Sequence, residues 1–155
     1  WQLDVARFAA PAIVVYTAIT ALFSAFRAQL QMFHAGLFSD HVVVCGLGEK
    51  GFLIATALRR AGCRVIVVEF DAANGRIEEA RDQGIVVLIG NATDRERLAG
   101  AGIARASHVF AVAGDDGVNA EVAVHAREAV TRSARSRGLG CYIHISDPAL
   151  AVFLE

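Results

Sequence analysis

The chain has 155 residues, 55% of them hydrophobic and 20% charged, with a formal net charge of −1. That length supports a domain with a real core, and the composition excludes both a disordered and a supercharged chain. The charges are mixed rather than gathered on a basic face, which excludes a nucleic-acid partner; the one basic cluster, Arg132, Arg135 and Arg137, reads as a solvated loop after a helix.

The first forty residues differ from the rest. From Phe8 to Phe26 there is no charged side chain, and Arg7 and Arg27 bracket the run. As one long apolar helix it would extend about 28 Å, close to the ~30 Å of a bilayer core. No small-residue cleavage site follows, so a signal peptide is a poor match. Two readings of residues 1–38 stand side by side. One is a transmembrane or membrane-surface helix. The other is a helix buried against a second copy of the chain, which the polar residues Thr17, Thr20, Ser24, Gln29 and Gln31 favour. The chain starts at Trp1 and stops just after an expected helix start. It therefore reads as a piece of a longer protein, with residues 39–155 forming a domain cut short at its C-terminal end.

From His41 onward, strand and helix patterns alternate. The apolar runs 41–45, 64–69, 85–90, 108–113 and 141–146 read as buried parallel strands. Between them, 49–61, 74–84, 93–102 and 115–130 read as helices, with Leu53, Ala57 and Leu58 expected on the inner face of the first and Thr93 as the N-cap of the third. Asp115 and Asp116 are expected to cap the fourth, and Pro148 opens a fifth. This alternation predicts an α/β, Rossmann-like doubly wound parallel sheet of order 3-2-1-4-5. Of three cysteines, Cys45 and Cys141 lie inside strand-like runs and Cys63 between elements. That spacing offers neither a disulfide framework nor a CxxC metal signature, and fits a reducing compartment.

The chemistry concentrates at the first strand-to-helix junction. Gly46, Gly48 and Gly51 form G-x-G-x-x-G, with a strand before them and a helix after. The glycines permit a tight turn, close approach to a pyrophosphate and close helix–strand packing, and the helix N-terminus faces the phosphates. Glu69 ends the second strand 18 residues beyond Gly51. A carboxylate there accepts hydrogen bonds from both ribose hydroxyls and repels a 2′-phosphate, which favours NAD(H) or an adenine nucleotide over NADP. Asp71 reads as a turn residue. Asn91 points to the same carboxyl edge of the sheet, and Asn119 falls in the first turn of the fourth helix. Lys50 reads equally as a phosphate contact or a solvated lysine.

The segments "VVVCGLGEKG", "VIVVEFD", "GNATDRERLAGAGIARASHVFAVAGDDGVNAEVA" and "IHISDP" together resemble the RCK domain, also called the Trk-type N-terminal nucleotide-binding domain, from about His41 to the C-terminus. The resemblance implies a regulatory rather than catalytic module of potassium channels and uptake systems, binding NAD(H) or ATP/ADP. It implies phosphate contacts at Gly46, Leu47, Gly48, Glu49, Lys50 and Gly51, and ribose contact at Glu69. Adenosine-side and switch-point positions fall at Asn91, Ala92, Thr93, Ala113 and Gly114. A homodimer or higher, ring-like homo-oligomer at the cytoplasmic face of a membrane is implied too. No catalytic pairing accompanies His34, His41, His108, His125 or His144. An oxidoreductase whose catalytic half lies elsewhere, and an interaction module that has lost its ligand, are the alternatives.

Overall fold

A computed structural model describes residues 9, 11–22, 38–132 and 138–147. Residues 11–22 form helix α1. Beyond it the order is β1 (Val42–Cys45), α2 (Glu49–Arg60), β2 (Val65–Glu69), α3 (Arg76–Asp82), β3 (Val86–Ile89), α4 (Arg95–Gly100), a single 3-10 turn (Ile103–Arg105), β4 (His108–Ala111), α5 (Asp116–Arg132) and β5 (Gly140–Ile143). The five strands form one sheet in the order β3-β2-β1-β4-β5. Every pairing is parallel, with Val42 opposite both Val65 and His108. The expected fold class and strand order are thus present.

The strands read as continuous apolar runs because both faces of the sheet are covered. On one face Val43, Cys45, Ile66, Val68 and Val109 pack with Leu98, Ile103, Val122 and Ala126. On the other Val42, Val44, Val65, Val67 and Val87 pack with Ala55, Ile77 and Ala80. Each fully buried Val or Ile contributes roughly 1.5–3 kcal/mol, so the central strands dominate the core. Cys45 is buried here and its thiol is pushed up to about 12, by desolvation first and then by Cys141. It is inert filling, as its setting in an apolar run suggests.

Three expectations need correction. A long apolar N-terminal helix is not found among the described residues, of which 11–22 are helical, roughly 18 Å at ~1.5 Å per residue. No described helix is long and apolar enough to cross a membrane. Residues 1–8, 10 and 23–37 lie outside the described residues, among them Phe8, Ala10 and 23–26 of the run from Phe8 to Phe26. Thr17 and Thr20 in α1 turn their hydroxyls back onto the carbonyls of Ile13, Val14 and Thr17, while Ile13, Val14, Tyr16, Ile19 and Leu22 are exposed.

The inner face of α2 is also different. Leu53 and Ala57 are exposed, Leu58 is half-buried, and Gly51, Ala55 and Thr56 are buried. The glycine sets this phase, because Gly51 lies directly against the carbonyl of Gly46. Its neighbours one turn and two turns on, Ala55 and Leu58, then face the sheet. Lastly, α4 is capped by Asp94, whose Oδ1 accepts from Glu96 N–H at 2.9 Å, and not by Thr93. The Thr93 amide instead donates to Asn91 Oδ1 at 2.9 Å, which delays the helix start by one residue.

Candidate functional site

The strand order reverses between β1 and β4, so the loops after those strands diverge to opposite sides and leave a crevice at the carboxyl edge. A cleft of about 830 Å³ lies there. The loop from Gly46 to Lys50 lines it, together with Glu69, Asn91, Ala92, Ala113 and Gly114. Of the positions singled out in the sequence, Gly51 and Thr93 do not reach its wall.

The glycine loop is built by contact. Gly46 has φ +103°, a left-handed conformation, and a Cβ there would come within 3.0 Å of the Ala113 backbone. The loop after β1 is thereby pressed onto the loop after β4. Gly51 stands so close to Gly46 that a Cβ would lie 2.0 Å from its carbonyl oxygen. Gly48 is the opposite case. It occupies the N-cap of α2 with no side-chain cap, and a Cβ on it would meet nothing within 4 Å. That side of the loop faces open space at the positive end of a helix, the setting in which phosphate oxygens are held.

Glu69 is buried, and its carboxylate braces the loop. Oε2 accepts from the Leu47 amide at 2.6 Å and Oε1 from the Asp71 amide at 2.8 Å. The Leu47 carbonyl accepts from Asn74 Nδ2 at 3.2 Å. Both backbone polar groups of Leu47 are therefore engaged by side chains from the end of β2 and the segment after it. The amide that a phosphate would otherwise meet at Leu47 is committed to Glu69. A carboxylate offers about four lone-pair directions, so two remain for hydroxyl donors from the cleft. Asp71 is a turn residue as expected, its Oδ1 accepting from Ala73 N–H at 2.8 Å.

On the other side, Asn119 is the residue that sequence reasoning undervalued. It is fully buried. Its Oδ1 accepts from the Ala113 amide at 2.8 Å, and its Nδ2 donates to the carbonyls of Ala113 and His144, each at 2.9 Å. One side chain on α5 thus ties the ends of β4 and β5 and fixes the second wall of the cleft. Removing it strands three part-buried backbone groups. Asn119→Ala is expected to cost about 2–4 kcal/mol of stability, read as a lowered midpoint in urea unfolding. An unchanged midpoint would show that the strand ends hold without the clamp.

Asp115 caps α5 as expected, accepting from Val118 N–H at 2.8 Å. Asp116 does not cap. It takes the amides of Ser146 and Asp147 at 2.9–3.0 Å, and these hydrogen bonds hold its carboxyl below the usual aspartate range. Such a lowered group adds stability above its unfolded value and loses it as pH falls through the folded one. Lys50 reaches across the cleft, its Nζ 2.6 Å from Nε2 of His144. Nothing in the sequence pairs two residues 94 positions apart; only the strand order brings them together. Among the described residues no cluster of His, Cys, Asp or Glu is arranged to hold a metal ion.

Comparison with known proteins places this geometry. The model of the TrkA-N domain family matches residues 42–138. Potassium channel protein 1 of Methanocaldococcus jannaschii is 27% identical over 105 residues, covering 66% of this chain and 31% of that protein. A Trk system potassium uptake protein TrkA homologue of Archaeoglobus fulgidus is 36% identical over 78 residues, covering 50% of this chain and 17% of that protein. The chain thus spans about a third or less of the curated relatives it matches. Among solved structures, the GsuK channel bound to NAD aligns with a TM-score of 0.58 at 19% identity, over 76% of this chain and 20% of that one. GsuK bound to ADP aligns with a TM-score of 0.54 at 19% identity, over 76% of this chain and 29% of that one. At that identity these structures establish the fold.

Proposed function

The chain belongs to the TrkA-N domain family, and on that premise we propose that it is a regulatory nucleotide-binding module of the RCK type, taking NAD(H) or ATP/ADP and acting on potassium transport. The observation that carries this reading is the cleft at the β1–β4 switch point, with the open face of Gly48 at one wall and Glu69 beside it. Phosphates would lie over the start of α2, and ribose hydroxyls would donate to the lone pairs of Glu69 that the backbone leaves unused. The same carboxylate repels a 2′-phosphate. The residues after it, Phe70 and Asp71, bring no compensating cation, so NADP is disfavoured.

The module acts as a sensor rather than an enzyme. Ligand in the crevice favours one arrangement of paired domains, in a homodimer or a ring of copies, and the bias passes to an attached transport unit. The relatives named as a potassium channel protein and a potassium uptake protein support potassium as the transported ion. The module would work on the cytoplasmic side of the membrane, with residues 1–38 as its link to it. Turnover of NADH by the full-length protein with any substrate would contradict the sensor reading and favour the cofactor-binding part of an oxidoreductase.

The direct test is thermal unfolding with each nucleotide in turn. A ligand that binds only the folded form at 100 times its Kd adds about 2.7 kcal/mol. NAD, NADH, ADP or ATP should raise the midpoint by several degrees, and NADP should raise it far less. No shift with any adenine nucleotide would overturn the proposal.

A further inference from the structure

The contact between Lys50 and His144 bears on which nucleotide the cleft takes, an inference that rests on the nucleotide-binding reading above. From the strand order, the cleft runs from Asn91 and Ala92 after β3, across the glycine loop after β1, to His144 and Ser146 after β5. With a ribose at Glu69, the other end of the ligand lies over β4 and β5. A dinucleotide would place its second nucleoside there, which carries no negative charge. The protein instead places a cation there.

Lys50 Nζ sits 2.6 Å from His144 Nε2, and Ser146 Oγ is 3.4 Å from the same nitrogen. An ammonium only donates, so the imidazole accepts here, and two N–H groups of Lys50 are left to point elsewhere. Among the described residues no carboxylate forms an ion pair with Lys50. Asp115 is turned to the Val118 amide and Asp116 to the amides of Ser146 and Asp147. Glu49, on the first turn of α2, is exposed. A lysine, an imidazole and a hydroxyl thus converge from two elements on one end of an 830 Å³ cleft.

We propose that Lys50, with His144 and Ser146, forms a subsite for the free terminal phosphate of a nucleoside di- or triphosphate, so that the cleft prefers ADP and ATP to NAD. The chemistry separates the two classes. A free terminal phosphate carries about −1.5 to −2 at pH 7, as phosphoryl monoesters do. The corresponding phosphate of NAD is a diester with a single charge and a bulky ribose attached. Lys50 therefore gains more from the first, and the diester must also displace the Lys50–His144 contact without replacing it by an equal one. Charge-assisted hydrogen bonds of this kind are worth about tenfold in affinity or more.

The experiment is isothermal titration of the full chain with AMP, ADP, ATP, ADP-ribose and NAD, then of Lys50→Met, Lys50→Arg and His144→Gln. The unaltered chain should bind ADP and ATP about tenfold more tightly than ADP-ribose and NAD. Lys50→Met should erase that preference while AMP affinity changes less than about twofold, Lys50→Arg should keep most of it, and His144→Gln should reduce it. Equal affinity for ADP and NAD in the unaltered chain, or an equal loss for all five ligands in Lys50→Met, would overturn the subsite and leave the nucleotide reading standing. Binding of none of the five would overturn the nucleotide reading itself. The comparison of ligands on the unaltered chain holds whether or not a variant folds.

Discussion

Gly51→Ala is expected to lower the unfolding free energy by about 3 kcal/mol or more, and the thermal midpoint by roughly 10 °C. The added methyl would sit 2.0 Å from the carbonyl oxygen of Gly46 and 2.9 Å from its carbonyl carbon. Both are backbone atoms, so no side-chain rotation relieves the clash. Relief needs α2 to move away from β1, and that movement opens the core around Leu47, Val44 and Ala55, all of them fully buried. Since small domains hold only about 5–15 kcal/mol in total, the loss is a large share. Gly48→Ala provides the contrast. Its methyl meets no atom within 4 Å, so stability should stay within about 0.5 kcal/mol while nucleotide affinity falls. Chemical denaturation of the two variants side by side checks the pair. Equal stabilities would show that the helix seats itself on the sheet without needing a glycine at 51.

Glu69→Ala is the second large effect, and it has two components. The amides of Leu47 and Asp71 both lose a charged acceptor held at 2.6 and 2.8 Å. The expected cost is about 2–4 kcal/mol of stability. The sequence-based expectation of Glu69 as a ribose contact is therefore incomplete, because this side chain also fixes the loop. Loss of the ribose contact should weaken NAD and ADP by about 100-fold, since hydrogen bonds to a charged group are each worth about tenfold or more. Glu69→Gln keeps one acceptor oxygen and should fall between the two in stability. Denaturation and titration on the same samples separate the components. Unchanged stability would show that the two amides find other partners, and unchanged affinity would remove Glu69 from the ribose site.

Why some of this was legible from the residues, and some not, follows from the range over which each signal acts. The strands were readable because a parallel sheet covered on both faces forces unbroken apolar runs such as Val42–Cys45 and Val65–Glu69. The placement of the glycine loop and Glu69 at the carboxyl edge was readable because it depends on a junction only a few residues long. The face of α2 was misread by side-chain size: Leu53 is the larger apolar residue, but Gly51 decides which side can approach the sheet. The cap of α4 was missed by one position because Asn91, Thr93 and Asp94 compete for the same amides, and Asn91 takes the one at Thr93. The Asn119 clamp and the Lys50–His144 contact were not legible at all. Each depends on where β5 docks against β4, which no local pattern encodes. For the apolar N-terminal run, composition suggested one long helix; residues 11–22 are helical, and 23–37 lie outside the described residues.

The central claim is that the crevice between β1 and β4 holds an adenine nucleotide with its ribose on Glu69. A crystal structure of the chain grown with ADP tests it most directly. The account predicts density for the diphosphate over the loop from Gly46 to Gly51, with a ribose hydroxyl about 3 Å from a Glu69 carboxylate oxygen. An ordered nucleotide bound elsewhere on the domain, with this crevice holding only solvent, would contradict it.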